Sequence, residues 1–147
     1  METKDKVILG FSLIAAVLVI IIVWRILGKV GLIESKEARQ KKEAVQNFQA
    51  SPYFDTNYYK NKSFKSIGAE PAKQYAKEIY NTHGIFNDSE DTLYSIFGNL
   101  KNKVNISEVA EQFYKLYGKD MKGYIANFLD DKEQAKLQTI ISKLPNF

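Results

Sequence analysis

The segment NISEVAEQFYKLYG, residues 105–118, has all the features of a short amphipathic helix. Asn105 and Glu108 have the spacing of a capping box, and Gly118 stands where a helix ends. The apolar residues recur three and four positions apart, so they share one face: Val109, Ala110, Phe113, Leu116 and Tyr117. We therefore predict a helix here that buries this face against neighbouring helices.

Similar helix signals lie on both sides of this segment. Pro71 is suited to the first turn of an earlier helix. A second capping-box pattern, NDSE at residues 87–90, precedes another apolar face, and Asp120 can start a short helix. A third pattern, DDKE at residues 130–133, leads into the last helix. Residues 70–147 therefore predict an all-α domain, a small bundle of five helices.

Residues 51–69 differ from the helical segments around them. The stretch SPYFDTNYYKNKSFKS combines helix-breaking Pro and Asn with five aromatic residues: Tyr53, Phe54, Tyr58, Tyr59 and Phe64. A polar linker would not carry these rings, and a monomeric domain seldom leaves them open to water. They could pack on their own domain, on a partner protein or at a membrane interface, and the interleaved lysines resemble a single-strand nucleic-acid platform. We predict an arm that docks on a partner through these five residues, with Tyr58 and Tyr59 as anchors.

The N-terminal part contains an uncharged run of 18 residues, VILGFSLIAAVLVIIIVW, from Val7 to Trp24. As a helix it would be about 27 Å long, close to the ~30 Å hydrocarbon core of a bilayer. Trp24 suits the interface, and Arg25 can snorkel so that the span extends to residue 27. We predict a short tail at 1–6 and a single transmembrane helix at 7–27. A cleaved signal peptide is the weaker alternative, because no A-x-A-like site follows.

Positive charge is concentrated after this run. Residues 25–69 carry nine basic and four acidic residues, whereas residues 70–147 carry ten and eleven. The positive-inside rule then places the C-terminal domain on the cytoplasmic face, although the same lysines could simply adhere to anionic headgroups. A nucleic-acid-binding domain should carry the surplus itself, so we predict the lipid bilayer, and no nucleic acid, as a partner. Residues 28–50 are interpreted as a basic, helical juxtamembrane stalk.

The composition also limits the chemistry. The chain has no cysteine and one histidine, His83, which excludes cysteine nucleophiles and multi-histidine metal clusters. His83 follows a predicted helix, where it suits the C-terminal dipole. Five carboxylates could in principle include a glycosidase pair, but each lies in a helix-start pattern: Glu90, Asp91, Asp130, Asp131 and Glu133. We predict no enzyme, no cofactor and no metal site.

The order of signals over residues 76–144 resembles the annexin-type repeat, a right-handed bundle of five short helices. FNDSEDTLYSIF, residues 86–97, resembles the turn and second helix of that repeat, and FYKLYGKDM, residues 113–121, resembles its Y-x-x-x-Y-G-x-D-L junction. The segment after Gly84 differs from the calcium loop of annexins, because it lacks the second Gly and the Thr of that loop. The resemblance therefore implies the fold without calcium.

A closer resemblance is to single, divergent repeats in proteins of phages that infect Bacteroidetes. An aromatic stretch like SPYFDTNYYK, a G-x-F-N-D-x-E motif and an L-P ending recur together in those proteins, as they do here. With the anchor, this implies a membrane-anchored structural protein. We expect a minor capsid protein of a lipid-containing bacteriophage, located in the internal membrane of the virion and partnered by capsid or other membrane proteins. The alternative is a cell-envelope or lysis-associated protein whose repeat binds peptidoglycan or a lytic partner.

Overall fold

The computed structural model describes residues 34–83 and 89–147. The described residues form α-helices and one short 3-10 turn, Pro52–Phe54, and contain no strand, which confirms the all-α prediction. The helices are α1 Lys36–Ala50, α2 Ala69–Thr82, α3 Glu90–Asn99, α4 Val104–Tyr117, α5 Met121–Phe128 and α6 Asp131–Lys143. The five described helices from α2 to α6 agree with the number expected for residues 70–147.

The predicted membrane anchor, residues 7–27 with Val7, Trp24 and Arg25, lies outside the described residues. Within residues 34–83 and 89–147, none of the helices combines the length and hydropathy needed to cross a bilayer. Residues 84–88, compared above with the calcium loop of annexins, also lie outside the described part.

Helix α4 lies at the centre of the compact unit formed by residues Gln40–Phe147. Every residue from Val104 to Ala110 is buried, so the first two turns of α4 are covered on all sides. Helix α4 packs mainly on α2 and also contacts the 3-10 turn and α5, while α3 packs on α2 and α6. The largest fully buried side chains are Phe48, Phe97, Phe113, Ile79, Leu93, Ile106, Met121, Ile125, Leu137 and Ile141.

The end of α1 contributes to this core. The helix is exposed from Lys36 to Glu43, as expected for a solvated stalk, but Phe48 is fully buried. Its ring meets Phe54 of the 3-10 turn edge to face, with centroids 5.4 Å apart. The compact unit therefore includes the second half of α1 and the aromatic arm, and it begins well before residue 70, where the sequence predicted the helical domain to begin.

The helix starts agree only in part with the three predicted capping boxes. The last box is confirmed: Asp130 Oδ1 accepts hydrogen bonds from the backbone N–H groups of Lys132 and Glu133, and Glu133 Oε2 accepts one from Asp130 N. This reciprocal arrangement satisfies donors that α6 leaves unpaired at its start.

The other two boxes were wrong. Helix α3 begins at Glu90, and Ser89 is its N-cap residue. Glu90 is therefore the first residue of the helix, whereas the capping box of residues 87–90 requires it to be the third. Ser89 N instead donates to Thr82 O at the end of α2, at 3.0 Å. Helix α4 begins at Val104, which places Asn105 inside the first turn. The Asn105 side chain accepts hydrogen bonds from Lys101 N and Asn102 N, and its amide group donates into a buried polar cluster.

Candidate interaction surface of the aromatic arm

The aromatic arm, residues 51–69, packs on the folded unit itself. Phe54 is 3% exposed, and its ring lies between Phe48 and Phe97, the latter at a centroid distance of 5.9 Å. The other four rings are half-buried: Tyr53, Tyr58, Tyr59 and Phe64. Phe54 is therefore a core residue. Partner docking, predicted for all five, stays a prediction for the other four.

Tyr59 fastens the arm to the outer side of α4. Its phenol donates a hydrogen bond to Glu111 Oε2 at 2.7 Å, and its backbone N–H donates to Ser107 Oγ at 3.3 Å. Lys115 and Lys60 lie 3.1 Å and 3.8 Å from the same carboxylate. The hydrogen bond to Glu111, followed by burial, raises the pKa of Tyr59 to about 12.

Glu111 is held in its ionised form by these neighbours. Burial alone would raise its pKa, but hydrogen bonds from Tyr59 and Lys115, together with the charges of Lys115 and Lys60, hold the pKa below its usual range. A carboxylate in this state cannot serve as a general acid near neutral pH. The pair of Tyr59 and Glu111 is therefore a structural contact.

A buried polar cluster attaches the end of the arm to the start of α4. Glu108 is 8% exposed, and its carboxylate accepts hydrogen bonds from Ile67 N at 3.2 Å, from Asn105 Nδ2 at 2.8 Å and from Ser66 Oγ. Asn105 Nδ2 also donates to Lys65 O at 3.0 Å. Because a buried carboxylate without partners would be costly, this set of donors stabilises both the arm and α4.

Two further contacts extend the attachment. Asn102 Nδ2 donates to Lys65 O at 3.1 Å, and Ser107 Oγ donates to Asp55 O. The arm backbone is thus held at residues 55, 59, 65 and 67 by side chains of the start of α4 and the turn before it. Sequence reasoning missed this cluster. Its only local signal was the N-x-x-E spacing of Asn105 and Glu108, which we interpreted as a helix cap.

The arm and the segments next to it carry a tyrosine–lysine patch, defined by Tyr53, Tyr58, Lys62, Lys103 and Phe147. The Tyr53 and Tyr58 rings meet edge to face at 5.3 Å, and Lys62 Nζ lies 4.3 Å from the centre of the Tyr58 ring. Lys103 Nζ lies 5.9 Å from the Tyr53 ring. The same lysine binds the C-terminal segment, through its N–H to Pro145 O at 2.8 Å and its Nζ to Asn146 Oδ1 at 3.0 Å. Phe147 follows directly and is 65% exposed.

Four of the five carboxylates considered from the sequence line one groove of about 360 Å³ between the starts of α3 and α6. These are Glu90, Asp91, Asp130 and Glu133, and the remaining groove residues are Tyr94, Lys132 and Lys136. Lys136 lies 3.7 Å from Asp91 and 4.1 Å from the centre of the Tyr94 ring, so it offsets part of the negative charge.

Two of the groove carboxylates, Asp130 and Glu133, cap α6. Backbone hydrogen bonds from Glu133 and Lys132 lower the pKa of Asp130, the opposite of what a glycosidase acid requires. Tyr94 is 8% exposed and its hydroxyl donates to Glu133 O at 3.4 Å; burial, and then the nearby carboxylates, raise its pKa to about 12. His83 ends α2, as expected, and its ring stacks on Phe128 at 5.2 Å. Among the described residues, no group of three or more potential ligands could hold a metal ion.

No family model, no curated protein and no solved structure matches the chain. Any function for the arm and the groove therefore has to be argued from their own geometry and from the sequence.

Proposed function

We propose that this chain is a membrane-anchored structural and interaction protein, with a transmembrane helix at residues 7–27 and a C-terminal bundle of the annexin type. The observation that carries the proposal is the uncharged run from Val7 to Trp24, whose length as a helix is close to the thickness of a bilayer. Arg25 and the basic residues after it suit the cytoplasmic headgroup region.

The chain length between the proposed anchor and the folded unit supports a surface role. Residues 28–39 can span at most about 40 Å even when fully extended. The compact unit begins at Gln40, so the anchor would keep it within that distance of the bilayer. Under this proposal the folded unit works on the membrane surface and does not act at a distance from it.

The state of the polar side chains supports interaction in preference to catalysis. Asp130 and Glu133 cap α6, Glu108 holds the arm, and Glu111 is paired with Tyr59 and with lysines. Each of these carboxylates stabilises the fold, and the pKa values of Glu111 and Asp130 are lowered, whereas a general acid has a raised pKa. We therefore propose that the domain binds a partner and performs no reaction.

In its specific form, the proposal is a minor virion component that links an internal membrane to a capsid shell. It is supported by the resemblance of the aromatic stretch, of the G-x-F-N-D-x-E motif at residues 84–90 and of the L-P ending to single repeats of phage proteins. The folded unit would bind the capsid shell, and the anchor would insert into the internal membrane.

Quantitative mass spectrometry of purified particles tests this form. A structural component remains with particles through repeated gradient purification at a fixed copy number per major capsid protein, and it is extracted when detergent removes the lipid. An abundant host membrane protein, measured in the same samples, controls for contaminating envelope. If the chain follows that contaminant and stays in the host envelope, the virion role is wrong and the envelope or lysis alternative takes its place.

A further inference from the structure

The tyrosine–lysine patch is one connected surface although its residues are far apart in sequence. Successive contacts run from Lys62 to Tyr58, from Tyr58 to Tyr53 and from Tyr53 to Lys103. Lys103 then binds Asn146, the residue before the exposed Phe147. The arm and the turn before α4 thus present aromatic rings and amines side by side.

The patch and its borders carry a net positive charge. Residues 51–69 and 101–103 together contain five lysines and one acidic residue, Asp55, and the arm also contacts two carboxylates of α4, Glu108 and Glu111. Lys60 is partly neutralised by Glu111, 3.8 Å away. Lys62, in contrast, contacts a ring, and Lys103 contacts a ring and a neutral amide, so these contacts leave both charges in place. An anionic surface would therefore be attracted to this side of the unit.

The chemistry of the patch suits a bilayer surface better than a protein pocket. Tyrosine is enriched at the membrane interface, where its ring lies among the headgroups and its hydroxyl stays hydrated. A lysine near an anionic leaflet contributes about 1 kcal/mol of binding free energy. A protein hot spot, by contrast, needs an anchor ring that is free to enter a pocket, whereas Tyr53 and Tyr58 are half-buried and already packed edge to face.

We propose that the tyrosine–lysine patch binds the anionic phospholipid surface of the membrane in which the chain is anchored. This inference rests on the proposed anchor, since the tether gives the patch a high effective concentration at the bilayer. Lys62 and Lys103 supply the attraction to headgroup phosphates, Tyr53 and Tyr58 lie at headgroup level, and Phe147 inserts its ring. The folded unit then lies against the membrane with this side down.

The absence of cysteine from the sequence allows a direct test with the full chain. A single label is placed at exposed Ser63, beside the patch, through Ser63→Cys, and at exposed Thr92 on α3, through Thr92→Cys, as a comparison position. Both proteins are reconstituted in phosphatidylcholine vesicles with and without phosphatidylserine. A headgroup spin-labelled lipid then quenches any label that lies at the membrane surface.

We expect strong quenching at position 63 in phosphatidylserine vesicles, weak quenching at position 92, and loss of the difference in pure phosphatidylcholine or at high salt. Replacing both patch lysines (Lys62→Gln and Lys103→Gln) should lower the ratio of membrane-bound to free patch about thirty-fold, from ~1 kcal/mol per lysine. Removing the same charge elsewhere (Lys77→Gln and Lys143→Gln, both exposed) should change the ratio of membrane-bound to free patch by no more than about two-fold.

Four results would overturn the inference. The label at position 63 could stay unquenched in vesicles that retain the chain through an alkaline wash, in which case the anchor stands and the patch proposal fails. Quenching could respond equally to both pairs of lysine substitutions, which would show a non-specific charge effect. A chain that the alkaline wash removes from the vesicles would overturn the anchor and, with it, this inference. A label at position 63 that the lipid spin label does not quench, and that becomes shielded from solvent only after shell proteins are added, would assign the patch to a protein partner instead.

Discussion

The Tyr59 hydroxyl donates a 2.7 Å hydrogen bond to Glu111 Oε2, across 52 positions of sequence, and so joins the aromatic arm to α4. The Glu111 side chain is 16% exposed, and Lys115 holds it from the other side at 3.1 Å. A hydrogen bond to an ionised, largely buried acceptor is stronger than one between neutral groups. This contact therefore makes the arm part of the folded unit.

Removing the phenol tests this contact. Tyr59→Phe keeps the ring against Phe64 and deletes the donor, so we expect the free energy of unfolding to fall by about 1–2 kcal/mol. Chemical denaturation of the full chain in a mild detergent, followed by circular dichroism, gives this value. Tyr114→Phe makes the same change at a ring that is 58% exposed, and it should stay within about 0.5 kcal/mol of the wild type. Equal effects at both positions would contradict the structural role of Tyr59.

The lowered pKa of Glu111 predicts a loss of stability in acid. Because the folded state favours the ionised form, the stabilisation is fully present above the unfolded pKa, 4.5, and is lost as the pH falls through the folded pKa. Urea denaturation from about pH 7 down to about pH 3 should therefore show a smaller acid loss for Glu111→Gln than for the wild type. Glu43→Gln, on the exposed part of α1, controls for the charge itself. An unchanged acid profile in Glu111→Gln would exclude this linkage.

The buried ring of Phe54 predicts a much larger effect than an exposed ring of the same kind. Phe54→Ala leaves a cavity beside Phe48 and Phe97 and should cost about 3–5 kcal/mol, seen as a large decrease in the thermal midpoint of the full chain. Phe147→Ala removes the same atoms from a 65% exposed side chain and should cost less than about 0.5 kcal/mol. A small loss at Phe54 would mean that the arm is not part of the core.

Local sequence rules predicted the parts of the fold that depend on local chemistry. The apolar faces gave five helices after residue 68, and the Asp130 box was correct because all of its partners lie within three residues. The same rule failed at Asn105 and Glu108. Glu108 accepts hydrogen bonds from Ser66 and Ile67, more than 40 positions earlier, and Asn105 donates one to Lys65 O. No local pattern shows that the first turns of α4 are enclosed.

The arm shows a second limit of sequence reasoning. Pro52 and the asparagines were correctly expected to prevent a regular helix, and the segment forms a 3-10 turn followed by further turns. The sequence predicts that all five rings of this segment dock on a partner. The structure instead places Phe54 against Phe48, a residue of the predicted stalk, and such a pairing follows from tertiary packing alone.

The most direct test of the membrane-anchored account is alkaline carbonate extraction of membranes from cells that express the full chain or a chain lacking residues 1–27. The account predicts that the full chain stays in the membrane pellet. The shortened chain should appear in the soluble fraction, where circular dichroism should show a folded helical protein. Release of the full chain by carbonate, to the same extent as the shortened one, would contradict a transmembrane anchor and with it the proposed function.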